Sequence, residues 1–205
     1  MDAHLRAGVA IYNAGDYHAA HDAWESHWLD LESGTADERF LHGLIQFTAA
    51  VFHARNTNWS GATGLAASAR DYLADLDGPY RGVDVGTVRR YLSVLAADPA
   101  VSERRRPPAL TYDGDRLALT DLGFESTAVA AAVFAAEYGY DESVVDDAAA
   151  YARADLDDGT TESPFVTFLF DFVRDQSNRD IIAQRLSEHV RRRRSRERDV
   201  LGLFE

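Results

Sequence analysis

The sequence predicts an all-α protein: a bundle of about five helices with a further helical C-terminal region. Two observations carry this reading. Apolar residues recur at the three- and four-residue spacing of a helix face along most of the chain. Start and stop signals for helices fall at the ends of those periodic runs. A first helix over about 4–14 puts Leu5, Val9 and Tyr12 on one side and is closed by Gly15. Asp16 suits the N-cap of a second helix that runs to about Leu31. Thr35, followed by Glu38, reads as a capping box for a third. Leu41, Leu44, Ile45, Thr48, Val51, Phe52 and Arg55 keep helical spacing along it. A fourth helix over about 60–76 stops at Gly78-Pro79, and a fifth follows Asp84 with Val85, Val88, Leu92 and Leu95 facing inward.

The pattern then breaks. The Arg104–Arg106 run and Pro107-Pro108 exclude regular helix over 98–108, and 110–119 allow a small hairpin about Asp113-Gly114. Helical patterning resumes after it. Ser163-Pro164 is an N-cap and N1 pair ahead of Phe165, Phe168, Leu169, Phe172 and Val173. Asn178 opens the last helix, with Ile181, Ile182, Leu186 and Val190 on its inner face. The expected organisation is a bundle over 1–97, a linker over 98–109, and a helical C-terminal extension over 110–205 packed on the first part.

Composition narrows the function classes. A chain of 205 residues with 46% hydrophobic and 11% aromatic residues can bury a core. There are 21 basic residues, every one Arg, against 34 acidic, for a net charge of -13. That field repels nucleic-acid phosphates and anionic lipid, so neither nucleic acid nor a membrane is an expected partner. The lysine-free, aspartate-rich balance points to a halophilic, salt-adapted protein, since a Debye length of about 3 Å at 1 M salt screens the repulsion. The absence of Cys excludes disulfides and thiolate sites. The N-terminal segment has no apolar signal core, and the run Ala128–Ala136 is far short of the roughly 20 residues that span a bilayer, so the expected location is the cytoplasm. No glycine-rich phosphate loop, nucleophile elbow or zincin motif occurs. The run Arg191–Arg194, with Arg196 and Arg198, is expected to complement a helix C-terminus and to pair with carboxylates. The Phe165–Phe172 stripe is expected in the core, with a homodimer face as the other reading.

One polar constellation stands out. At 100° per residue Tyr17, His21, Trp24 and Trp28 share one face of the second helix, and Glu25 lies at its edge. On the third helix His42, Gln46, Ala49 and His53 fall on one line. If the two helices form an antiparallel hairpin through Ser33-Gly34, His21 and Glu25 approach Gln46 or His53. The candidate binding cluster is therefore His21, Glu25, Gln46, His53, His42 and Trp28. Its structural reading is a hydrogen-bond network satisfying partly buried polar groups. Its functional readings are a divalent metal of the Zn or Fe type held by His21, Glu25 and His53, or an acid–base pair of His21 and Glu25.

The segment from Asn13 to Trp28 resembles the signature of the domain of unknown function 309 family, roughly Gly-x-Tyr-Phe-Glu-Ala-His-Glu-x-x-Glu-x-x-Trp. Gly15, Tyr17, Ala20, His21, Glu25 and Trp28 meet it, with Asp22 a conservative match. A second element of that family is similar to His42-Gly43-Leu44-Ile45-Gln46 with Phe52-His53. The resemblance extends over about Ala7 to Leu76 and implies a compact helical domain with no established activity. Two positions depart: Ala19 stands where the family has Glu, and His42 where it has Gln. The expected function is a binding or structural module, for a protein or small ligand, organised by the His/Glu/Gln cluster. The alternative is a metal-dependent enzyme, a hydrolase, using His21, Glu25 and His53.

Overall fold

The computed structural model describes residues 1–76 and 78–201. The protein is all-α, and it divides into two compact units, Met1–Leu122 and Gly123–Glu205. The first unit is a run of helices in which each packs on the next: α1 (Asp2–Ala14), α2 (Tyr17–Trp28), α3 (Ala36–Arg55), α4 (Trp59–Tyr72) and α5 (Val85–Ala97). Short connections force antiparallel neighbours, as they do in helix bundles. Gly15 closes α1 in the left-handed conformation, at φ 97°, which a side chain rarely adopts.

Two close helix crossings depend on glycine. A Cβ on Gly8 of α1 would lie 2.1 Å from Trp24 Nε1 of α2, and one on Gly43 of α3 would lie 2.5 Å from the Leu73 side chain. The bare backbone at these positions lets Trp24 and Leu73 bury completely. Phe40, Leu41, Leu44 and Phe47 of α3 complete the centre of this core. Val85, Val88, Leu92 and Leu95 all face inward, as their spacing predicts. Phe52, expected on the inner arc of α3, is 38% exposed, while Phe40 and Phe47 take the inner positions instead. The apolar arc of α3 is thus rotated towards Phe40 and Phe47.

The boundaries differ from expectation in several places. Helix α2 ends at Trp28 and α4 at Tyr72, each a few residues early, because the chain turns there through carbonyls left over at the helix ends. After α4 comes a two-stranded antiparallel ribbon, β1 (Pro79–Tyr80) with β2 (Val83–Asp84), turning at Arg81 and Gly82 with φ of 50° and 84°. The segment expected to be wholly irregular holds a single helical turn, α6 (Val101–Arg104), ahead of the two prolines. The hairpin about Asp113-Gly114 reduces to a tight turn closed by a Tyr112–Asp115 bridge.

Residues 110–122, grouped above with the C-terminal extension, fall inside the first unit. Asn13 is the reason. Its Nδ2 donates to Leu110 O and Leu117 O, both at 2.9 Å, and its Oδ1 accepts from Leu110 N at 2.9 Å. One side chain at the end of α1 thereby fixes two points of a segment about a hundred residues away along the chain.

The second unit contains α7 (Phe124–Tyr138), α8 (Glu142–Asp157), α9 (Pro164–Arg174) and α10 (Arg179–Leu201). Ser163 caps α9 as its sequence predicts, accepting from Val166 N, and its hydroxyl donates to Asp155 Oδ2 at 2.7 Å. Phe165, Leu169, Phe172, Ile182, Leu186 and Val190 are buried, but Ile181 is 55% exposed. Asn178, expected to open the last helix, belongs to a 3-10 turn capped by Asp175, and α10 starts one residue later. Arg179 is buried at that start. Its Nε donates to Phe172 O at 2.9 Å, and its guanidinium lies 4.5 Å and 4.9 Å from the ring centres of Phe134 and Tyr138. In the basic run, Arg192 faces Glu188, Arg193 faces Asp155 and Glu197, and Arg194 faces Asp147. Among the described residues no helix is long and apolar enough to cross a membrane.

Candidate functional site

The seam between α2 and α3 gathers the polar residues, around a hub that the sequence identifies only as a cap. Thr35 is the N-cap of α3 and accepts from Glu38 N at 3.2 Å. The Glu38 carboxylate does not return to the Thr35 backbone. Its Oε1 accepts from Trp28 Nε1 at 2.9 Å and its Oε2 from Gly34 N at 3.2 Å. Glu38 Oε1 also lies 3.5 Å from His42 Nδ1. One turn further, His42 Nε2 lies 3.0 Å from the amide nitrogen of Gln46. The spacing i, i+4, i+8 stacks Glu38, His42 and Gln46 in one row.

Rings clamp the centre of this row. The His42 imidazole lies 4.7 Å from the Trp28 ring and is stacked on Tyr72 at 4.0 Å. Its tautomer follows from its neighbours: Nδ1–H directed at the Glu38 carboxylate leaves Nε2 to accept from Gln46 Nε2–H. Gln46 Oε1 is then buried without a hydrogen-bond partner among the described residues. Burial pushes the Glu38 carboxyl up, but hydrogen bonds from Trp28 and Gly34 and the adjacent His42 outweigh it, so it titrates below the ordinary carboxylate range.

The remaining candidates lie outside this row. His21 Nε2 is 3.6 Å from Glu25 Oε2, one turn apart on the partly exposed edge of α2. Ligand atoms of His21, Asp22 and Glu25 lie within 4.8 Å of one another. His53 sits at the α3–α4 junction, where Nδ1 lies 3.0 Å from Asn58 Nδ2. Asn58 in turn caps α4 by accepting from Gly61 N at 3.2 Å. The structure therefore joins His42 with Gln46 and Trp28, and His21 with Glu25, while His53 belongs to a helix junction. Beside Trp28, His27 of α2 stacks on His4 of α1 at 4.9 Å, and burial pushes both imidazoles below their ordinary value.

Glu38 and Tyr72 are the members of this site absent from the sequence-based cluster. The i, i+4 run of Glu38, His42 and Gln46 was a usable signal for the first. Nothing in the local pattern marks Tyr72, which reaches His42 from α4 through the tertiary fold. Residues 5–65 match the family model described as Domain of unknown function (DUF309). The DUF309 match runs from α1 into α4 and so contains Trp28, Glu38, His42, Gln46 and His53, together with His21 and Glu25. It marks this part of the chain as resembling a helical domain whose description carries no activity. A search of curated proteins returns no match.

Proposed function

We propose that the first unit is a non-catalytic binding module, and that the α2–α3 seam is its scaffold. The observation that carries this reading is the engagement of Glu38 and His42. Both oxygens of the carboxylate and both nitrogens of the ring already face partners within the protein. A general base or nucleophile needs a basic atom directed at a substrate, and in this row the carboxylate and the imidazole are directed at one another and at Trp28, Gly34 and Gln46. What it supplies is fixed geometry between two helices, as a satisfied polar network does. The partner is a small ligand or another protein, met in a salt-rich cytoplasm; the acidic, lysine-free composition supports that setting.

The second reading is a divalent metal at the α2 edge, favoured by the convergence of His21, Asp22 and Glu25. Protein purified without an affinity tag separates the two. Elemental analysis is expected to find no stoichiometric Zn, Mn or Fe, and His42→Ala is expected to lower the thermal midpoint. One equivalent of metal, lost in His21→Ala, would overturn the scaffold reading in favour of the metal one.

A further inference from the structure

Three arginines converge on a cavity of about 420 Å³ at the α1–α2 turn: Arg55 from the last turn of α3, and Arg106 and Arg116 from the segment after α6. The segment that carries two of them is held in place against α1. Tyr12 Oη donates to Pro108 O at 3.1 Å, and Asn13 fixes Leu110 and Leu117 as described above. Arg116 Nη2 rests 3.4 Å from Asn13 O. The Arg55 guanidinium lies 5.7 Å from the centre of the Tyr17 ring. Burial pushes the Tyr17 phenol up, and Arg55 and Arg106 pull against that shift, so both cations act on one point.

The cavity gathers positive charge in a protein whose net charge is -13. Acidic residues outnumber basic ones 34 to 21, and several arginines elsewhere face carboxylates, as Arg39 does with Asp75, Arg81 with Asp37 and Arg153 with Glu125. Arg55, Arg106 and Arg116 form no ion pair with a carboxylate among the described residues, and no Asp or Glu lines the cavity. The opening of α2, at Tyr17, adds the positive end of a helix dipole to the same recess.

We propose that this cavity binds a small phosphorylated molecule, the phosphate held by Arg55, Arg106 and Arg116 and the attached group lying against Tyr17 and Pro107-Pro108. A phosphate dianion presents three oxygens to planar guanidinium forks, which a single carboxylate cannot do. The volume is that of a small-molecule site. The net charge of -13 disfavours a long polyanion such as nucleic acid. The inference is independent of the Glu38–His42–Gln46 row, none of whose residues lines this cavity.

The test is calorimetric titration of the full chain with phenyl phosphate and with inorganic phosphate, at the lowest KCl concentration that preserves its native circular dichroism. One equivalent of phenyl phosphate is expected to bind saturably, more tightly than inorganic phosphate, and to weaken as KCl rises. Arg106→Gln, at an exposed position, is expected to weaken binding at least tenfold with the melting midpoint unchanged. Arg116→Gln serves the same purpose should the first variant melt early. Arg89→Gln, in a separate recess beside α4 and α5, is expected to bind as the parent does. No saturable binding, equal binding by Arg106→Gln and Arg116→Gln, or no gain of phenyl phosphate over inorganic phosphate would overturn the proposal.

Discussion

Glu38 shows how one carboxylate joins three segments of chain. It ties Trp28 at the end of α2, the turn at Gly34, and His42 within α3, while only 12% of its side chain is exposed. Its folded pKa lies below the ordinary value, so the sign of the linkage is fixed. The stabilisation is fully present above about pH 4.3, the unfolded glutamate value, and is lost as pH falls through the depressed folded value. Glu38→Gln is expected to cost about 1–3 kcal/mol at neutral pH and to flatten the acid limb of stability against pH. Urea unfolding between pH 3 and pH 7 measures both, and an unchanged acid limb would count against the Glu38 hub. At this scale the sequence was partly legible. Helical periodicity placed His42 and Gln46 on one line and Trp28 on the facing stripe of α2, but it pointed His21 and Glu25, not Trp28, at that line. It could not separate His53 from that line, because a 3.6-residue repeat says nothing of where a helix ends and which cap the last turn meets.

At the scale of elements, helix existence was readable and helix ends were less so. Periodicity reports which face is buried, whereas a boundary depends on where leftover carbonyls find donors, as at Trp28 and Tyr72. The β1–β2 ribbon had no usable pattern, since two-residue strands are too short for alternation. It is held by Asp37, which accepts from Tyr80 Oη at 2.8 Å and from Arg81 Nε at 2.9 Å. The α1–α2 crossing gives a sharper prediction. Gly8→Ala places a methyl 2.1 Å from Trp24 Nε1 and is expected to cost about 1–3 kcal/mol by overpacking. Gly64→Ala, within α4, meets nothing within 4 Å and is expected to stabilise by about 0.5–1 kcal/mol through helix propensity. Paired thermal melts of the two variants should move in opposite directions. A midpoint of Gly8→Ala at or above the parent's would show that Trp24 does not need the bare backbone of Gly8.

At the scale of the whole molecule, charge dominates. The ion pairs described above link arginines to only part of the acidic surplus, and the net charge of -13 remains. Screening of that repulsion predicts a melting midpoint that rises from 0.1 M to about 2 M KCl, where the Debye length shrinks to a few ångströms. Circular dichroism melts across that range test it, and equal midpoints at both ends would remove the case for salt adaptation. The placement of 110–122 was illegible for a reason that also belongs to this scale. A polar side chain such as Asn13 carries no periodic signal, yet it decides to which unit a distant segment attaches.

Asn13 also has a bearing on the order of events during synthesis. Helix α1 leaves the ribosome early, but the backbone groups that its terminal amide needs are not made until Leu110 and Leu117 have been translated. At about 5–20 residues per second, the N-terminal helices wait on the order of ten seconds without their last strap. A nascent chain arrested before Leu110 therefore holds the family-matched segment with Arg116 of the arginine cavity still to be made.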